Sequence, residues 1–210
     1  GGFYMAEAFF QATAWTMDTP KPYGAFHLVL TVLGVSLSIF LARKFSFPER
    51  KAGPDTILFL CGLFLGLTEL YKQGFIYYIE NGRTYDWWYF PFQLCSVPMY
   101  LGLFIPMVPA RIRNVFYLFI QDFGLLGGIM ALAEPSGLMH PYWTMTVHGF
   151  LWHFNLIFMG LICAFYNLKT ETPKSYLHTI PLFLFCTAIA TAVNVLSHPY
   201  GNADMFYISP

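Results

Sequence analysis

Apolar residues fall into six long blocks along the chain, at 26–42, 55–75, 88–107, 114–133, 144–167 and 177–196. A helix needs about 20 mainly apolar residues to cross a hydrocarbon core of roughly 30 Å, so each block predicts one span. Backbone N–H and C=O groups inside a bilayer must pair within their own segment, which makes the blocks helices and not strands. Polar stretches separate them, among them Arg43 to Lys51 and Lys169 to Lys174. Glycines within the blocks, such as Gly34, Gly102 and Gly160, suit the close helix approach of a membrane bundle. Residues 3–17 read as a further, interfacial helix, because Phe3 to Trp15 is apolar, lacks a basic leader and is interrupted by Glu7. The expected fold class is all-α, a polytopic transmembrane helix bundle. Residues 1–25 form an interfacial N-terminal segment and residues 26–210 a single six-span domain. Asp204 to Pro210 stops in apolar sequence, and a seventh helix beyond it is the expectation.

Composition sharpens this picture. Of 210 residues, 57% are hydrophobic and 10% charged, against roughly 25% charged in an average soluble domain. Eleven basic and eleven acidic side chains cancel, so there is no electrostatic footprint for nucleic acid. The first, third and fifth loops hold eight of the eleven basic residues: Arg43, Lys44, Arg50, Lys51, Arg111, Arg113, Lys169 and Lys174. The positive-inside rule makes those loops cytoplasmic and places the N-terminus outside.

With that orientation, the polar residues of the spans map onto one depth. Glu69 and Lys72, Gln93 and Cys95, His148 and His153, and Asn194 fall in the outer half, with Gln121 and Asp122 near the middle of the fourth span and Asp122 counted toward the outer side. Ionisable groups inside a membrane are candidates for function, because an unpaired charge there costs several kcal/mol. Glu69 and Lys72 are three residues apart on one helix face, the spacing of an ordinary structural ion pair. Asn194 reads as an interhelical hydrogen-bonding residue. Cys61, Cys163 and Cys186 sit among Leu, Phe and Ala and read as small hydrophobes. Cys95 differs, lying in a proline-flanked stretch with polar neighbours. No metal-ligand spacing, phosphate-binding loop or serine-centred motif appears, and no cofactor is implied.

The stretch Phe90-Pro91-Phe92-Gln93-Leu94-Cys95, the loop Ala131-Leu132-Ala133-Glu134-Pro135-Ser136 and the stretch His148-Gly149-Phe150-Leu151-Trp152-His153 resemble the YwaF-like integral membrane proteins of bacteria. The closing segment from Asn194 through Gly201 to Pro210 does too. That family is related to a eukaryotic transmembrane acyltransferase that moves fatty acyl chains onto ether phospholipids. The resemblance implies a bacterial plasma-membrane bundle of six or seven helices, with membrane lipids as partners and no soluble protein partner; oligomeric state stays open. It also implies a catalytic cysteine and histidine, which map to Cys95 and His153, with His148 the competing base. Bacterial members carry Leu-His-Leu-Cys where this chain has Phe92-Gln93-Leu94-Cys95. Gln93, Asp122, Asn194 and Glu69 are the expected substrate-binding residues, with no metal. A substrate-binding subunit of a small-molecule transporter is the alternative, its outer-end Trp and Tyr residues stacking a flat ligand. A bis-histidine haem site on His27 and His148 is the least favoured reading.

Overall fold

The computed structural model describes residues 2–46, 53–168 and 170–209. Arg50, Lys51 and Lys169 of the topology argument lie outside the described residues. Seven helices order the chain: α1 (Gly2–Ala12), α2 (Ala25–Phe45), α3 (Asp55–Phe75), α4 (Leu94–Met107), α5 (Ala110–Ala133), α6 (Trp143–Asn167) and α7 (Ser175–Ser197). Among the described residues there is no strand, only one isolated bridge between Thr16 and Tyr142. By length and composition α2, α5, α6 and α7 can each cross a membrane. α3 has comparable length, 21 residues, but carries Asp55, Glu69 and Lys72.

Two expectations change. The block at 88–107 is not one helix: Trp87–Tyr89 forms a 3-10 turn, the chain then extends through Gln93, and helix resumes only at Leu94. Pro91 accounts for the break, since a proline lacks an N–H and forces the residue before it out of the helical region. Phe90 accordingly takes ψ 130°. The N-terminal helix ends at Ala12, short of the expected residue 17. Its Phe10 packs against Gly74 and Tyr71 at the end of α3, and Glu7 pairs with Arg83.

Close backbone approaches fix how the helices meet. A Cβ on Gly102 would lie 2.6 Å from the Leu58 carbonyl oxygen, and one on Gly62 would lie 2.8 Å from the Leu103 nitrogen. α3 and α4 therefore cross backbone to backbone at a glycine pair, as small residues permit in membrane bundles. α5 meets α6 similarly, with Gly128 against the His153 carbonyl and Gly160 against Leu125. α6 is the central helix. Leu156, Met159 and Cys163 are fully buried with Leu58, Leu65, Phe119 and Ile120 of its neighbours. Successive helices alternate in direction, so the second halves of α3, α5 and α7 lie with the first halves of α2, α4 and α6.

Beyond α7 the chain turns back. Gly201 lies against the Trp87 ring, Ala203 and Met205 are buried, and Phe206 stacks on Phe92 at 6.0 Å with rings 3° from parallel. Asp204, Phe206 and Tyr207 all have positive φ, between 42° and 60°. Non-glycine residues rarely adopt that region, so the surroundings must hold this strap in place.

Candidate functional site

The strap, the break before α4 and the upper ends of α3 and α6 enclose a cavity of about 160 Å³. α3 contributes Glu69 and Lys72. The proline-broken stretch contributes Gln93 and Cys95, and α6 contributes His148 and His153. The structure therefore brings five of the seven expected site residues to one cavity: Cys95, His148, His153, Gln93 and Glu69. Among the described residues no hydrogen bond joins the Cys95 thiol to either imidazole, an arrangement common before substrate is bound.

Each wall is held in its own way. The Trp152 indole N–H donates to the Cys95 carbonyl at 3.1 Å, tying the nucleophile candidate's backbone to α6. His153 Nδ1 lies 2.7 Å from the Gly149 carbonyl oxygen. A carbonyl only accepts, so Nδ1 carries the proton and Nε2 keeps its lone pair. His148 lies beside the Trp152 ring at 5.6 Å. Its Nε2 is buried and has no partner among the described residues. An orphaned buried nitrogen costs about 1–3 kcal/mol, a cost that active sites tolerate where a ligand later supplies the bond.

Lys72 is the residue that sequence reasoning undervalued. Its ammonium is 2.8 Å from Glu69 Oε2 and 5.9 Å from the centre of the Trp152 ring. Gln73 donates to the other Glu69 oxygen at 2.7 Å, so both carboxylate oxygens are engaged. Among the described residues Lys72 has no further partner, which leaves ammonium protons facing the cavity. Its field reaches Cys95, His140, His148 and His153 together. The i,i+3 spacing announced the ion pair; that the pair stands at the centre of the candidate chemistry depends on contacts between α3 and α6.

His140, in the loop before α6, also lines the cavity. Burial and the Lys72 charge push its imidazole below the ordinary histidine value, against a Gly137 backbone bond that raises it.

The remaining expectations sort differently. The Gln93 carboxamide donates to the Asp204 carbonyl (3.1 Å) and accepts from the Phe206 N–H (2.9 Å). Asn194 does the same for Met205, donating to its carbonyl at 3.0 Å and accepting from its N–H at 2.6 Å. Both side chains are committed to the strap. Asp122 stands away from the cavity, with Glu171 as its electrostatic neighbour. Gln121 beside it bonds Glu171 and Asn167, the last residue of α6. Asn167 is 19 residues from His148, about 28 Å along that helix. Gln121 thus reaches toward the far end of α6, and neither it nor Asp122 lines the cavity, although Gly127 on the same helix lies against Cys95. Helical side chains lean toward the N-terminus of their own helix, which carries a mid-helix glutamine of α5 down toward its Ala110 end. His27 is likewise spoken for: it accepts from the Tyr23 N–H and donates to the Leu132 carbonyl, each at 3.0 Å. That occupies both ring nitrogens and leaves none for haem iron.

Among the described residues no three His, Cys, Asp or Glu side chains gather as a metal site. No curated protein and no solved structure matches the chain. The relation to bacterial YwaF-like proteins rests on the short motifs alone. Residues 22–210 match the family model of the TMEM164 family, a membrane protein family, and the match runs across the whole cavity from α3 to the strap; the chain belongs to the TMEM164 family.

Proposed function

We propose that the chain is a membrane acyltransferase that moves a fatty acyl chain between lipids through a thioester on Cys95. The observation that carries this reading is a single cavity shared by a cysteine, two imidazoles with free Nε2 atoms and a lysine ammonium. His153 takes the Cys95 proton, and the thiolate, the stronger nucleophile, attacks the ester carbonyl of a donor lipid. Collapse of the tetrahedral intermediate expels the donor's alkoxide, which receives the proton back from His153. The same imidazole then deprotonates an acceptor hydroxyl, whose attack on the thioester returns Cys95 as a thiolate. Gln93 and Asn194 are engaged with the strap, so stabilisation of the oxyanion falls to Lys72, whose protons face the cavity. His148, with its open Nε2, is the second candidate for the base.

The cavity size bears on the transporter alternative. Pockets for drug-sized ligands run to about 300–1,000 Å³. At about 160 Å³ this one accommodates an ester and its surroundings better than a vitamin or nucleobase. Transfer of a deuterated acyl chain between phospholipids, followed by mass spectrometry with purified protein in liposomes, tests the reading. Cys95→Ser should abolish transfer, and His153→Ala should reduce it at least a hundredfold. Full transfer by Cys95→Ser would end the proposal.

A further inference from the structure

A second cavity, about 460 Å³, opens on the side of the bundle between α2, α3 and α6. Its walls are apolar: Leu37 and Leu41 of α2, Leu60 and Phe64 of α3, and Phe154 and Phe158 of α6. The two polar side chains that border it both reach backbone carbonyls. Ser38 donates to the Gly34 and Phe154 carbonyls, at 2.8 and 3.2 Å, and Asn155 reaches the Cys61 carbonyl at 3.5 Å. Leu37, Leu60 and Phe64 are each more than two-fifths exposed, so its open side faces the surrounding lipid.

The order of residues along two helices places the groove relative to the site. On α3 the groove takes residues 57 to 64 and the polar cavity takes Glu69 and Lys72. On α6, which runs the other way, the polar cavity takes Met145 to His153 and the groove Leu151 to Phe158. Both helices agree: the groove lies below the Cys95 cavity, deeper in the bundle. From Glu69 to Phe64 the step is about 7–8 Å, and along α2 the groove runs about 16 Å from Gly34 to Phe45. A phospholipid standing in a bilayer has this layout, with its ester region at one level and its chain extending toward the midplane.

We propose that the groove seats one fatty acyl chain of a bilayer phospholipid, its ester end toward Cys95 and its methyl end toward Phe45 and Phe158. Delivery of that ester to Cys95 rests on the acyl-transfer reading; the seat for the chain does not. Its volume falls in the range of about 300–1,000 Å³ that suits a ligand of that size.

The test uses the whole protein in nanodiscs containing phosphatidylcholine with a diazirine near the methyl end of one chain. After irradiation, adducts are mapped by mass spectrometry. Adducts should concentrate severalfold on 37–45, 57–64 and 151–158, relative to the equally exposed Leu184, Phe185 and Leu196 of α7. A double variant, Leu37→Trp with Leu60→Trp, fills the groove from exposed positions; it should cut those adducts severalfold and shift acyl transfer toward shorter chains. Even labelling of groove and α7 overturns the proposal, because ordinary lipid contact would then explain it. Cys95→Ser should label as the unaltered protein does. Loss of transfer with even labelling leaves the enzyme reading and removes the groove; groove-selective labelling with transfer intact in Cys95→Ser does the reverse.

Discussion

Gln93, in the extended chain before α4, and Asn194, on α7, grip adjacent backbone positions of the strap. Each carboxamide supplies a donor and an acceptor to the same short stretch, Asp204 to Phe206. Replacing Gln93 by Leu strips partners from a half-buried N–H and C=O, which should cost about 1 kcal/mol. The measurement is the thermal midpoint in detergent together with hydrogen exchange at 204–207, which should accelerate severalfold; unchanged exchange would show that the clamp is not what holds the strap. The sequence marked Gln93 and Asn194 as polar residues with a task. It could not say that the task was structural, because the partner of Gln93 is 113 positions away and is backbone, which any residue supplies. His140 offers a second check at this scale. Its folded-state pKa is lowered, so below the ordinary value of 6.5 the unfolded chain binds the proton more readily and stability falls as pH falls. His140→Gln should therefore lose less of its thermal midpoint than the unaltered protein between pH 7.5 and 5. Parallel curves would refute it.

At the level of helices, the crossing of α3 and α4 depends on glycines that leave no room for a methyl group. Gly102→Val should destabilise the bundle by about 1–3 kcal/mol through overpacking, read from unfolding in detergent. Gly137→Ala, at an open position, serves as the control and should be neutral. The apolar blocks announced the helices well, since α2, α3, α5, α6 and α7 each begin within about four residues of the expected start. Prolines assisted, with Pro54 and Pro109 standing immediately before α3 and α5. The stretch at 88–107 misled for a physical reason: its hydropathy is that of a span, while Pro91 decides its geometry. The break it makes leaves Gln93 in extended chain and puts Cys95 in the first turn of α4, both in the cavity wall.

Across the whole molecule, polar groups collect at two ends instead of one. Cys95, His148, His153, Glu69 and Lys72 share the upper cavity. Asp55 with Arg113 and Tyr117, and Gln121 with Asn167 and Glu171, bind the opposite end. Asp122→Asn should accordingly leave acyl transfer within about twofold, since Asp122 is not among the residues that line the cavity and its electrostatic neighbour is Glu171. A tenfold loss would mean that the two ends are coupled. Depth along a helix was legible from residue counting. The side to which a mid-helix residue reaches was not, because it depends on side-chain lean and on what the neighbouring helix offers.

α4 has a consequence for the lipid around the protein. Fourteen residues of helix reach about 21 Å, some 9 Å less than the roughly 30 Å hydrocarbon layer. The shortfall falls on the Gln93 side, where extended chain replaces helix beside the cavity. A bilayer meeting a helix shorter than its hydrocarbon core can thin locally, at a cost of a fraction of a kcal/mol for each ångström of mismatch. Such thinning would bring the headgroup layer toward Cys95, and the thickness of the host membrane would then set how far a lipid ester must travel to meet the thiol.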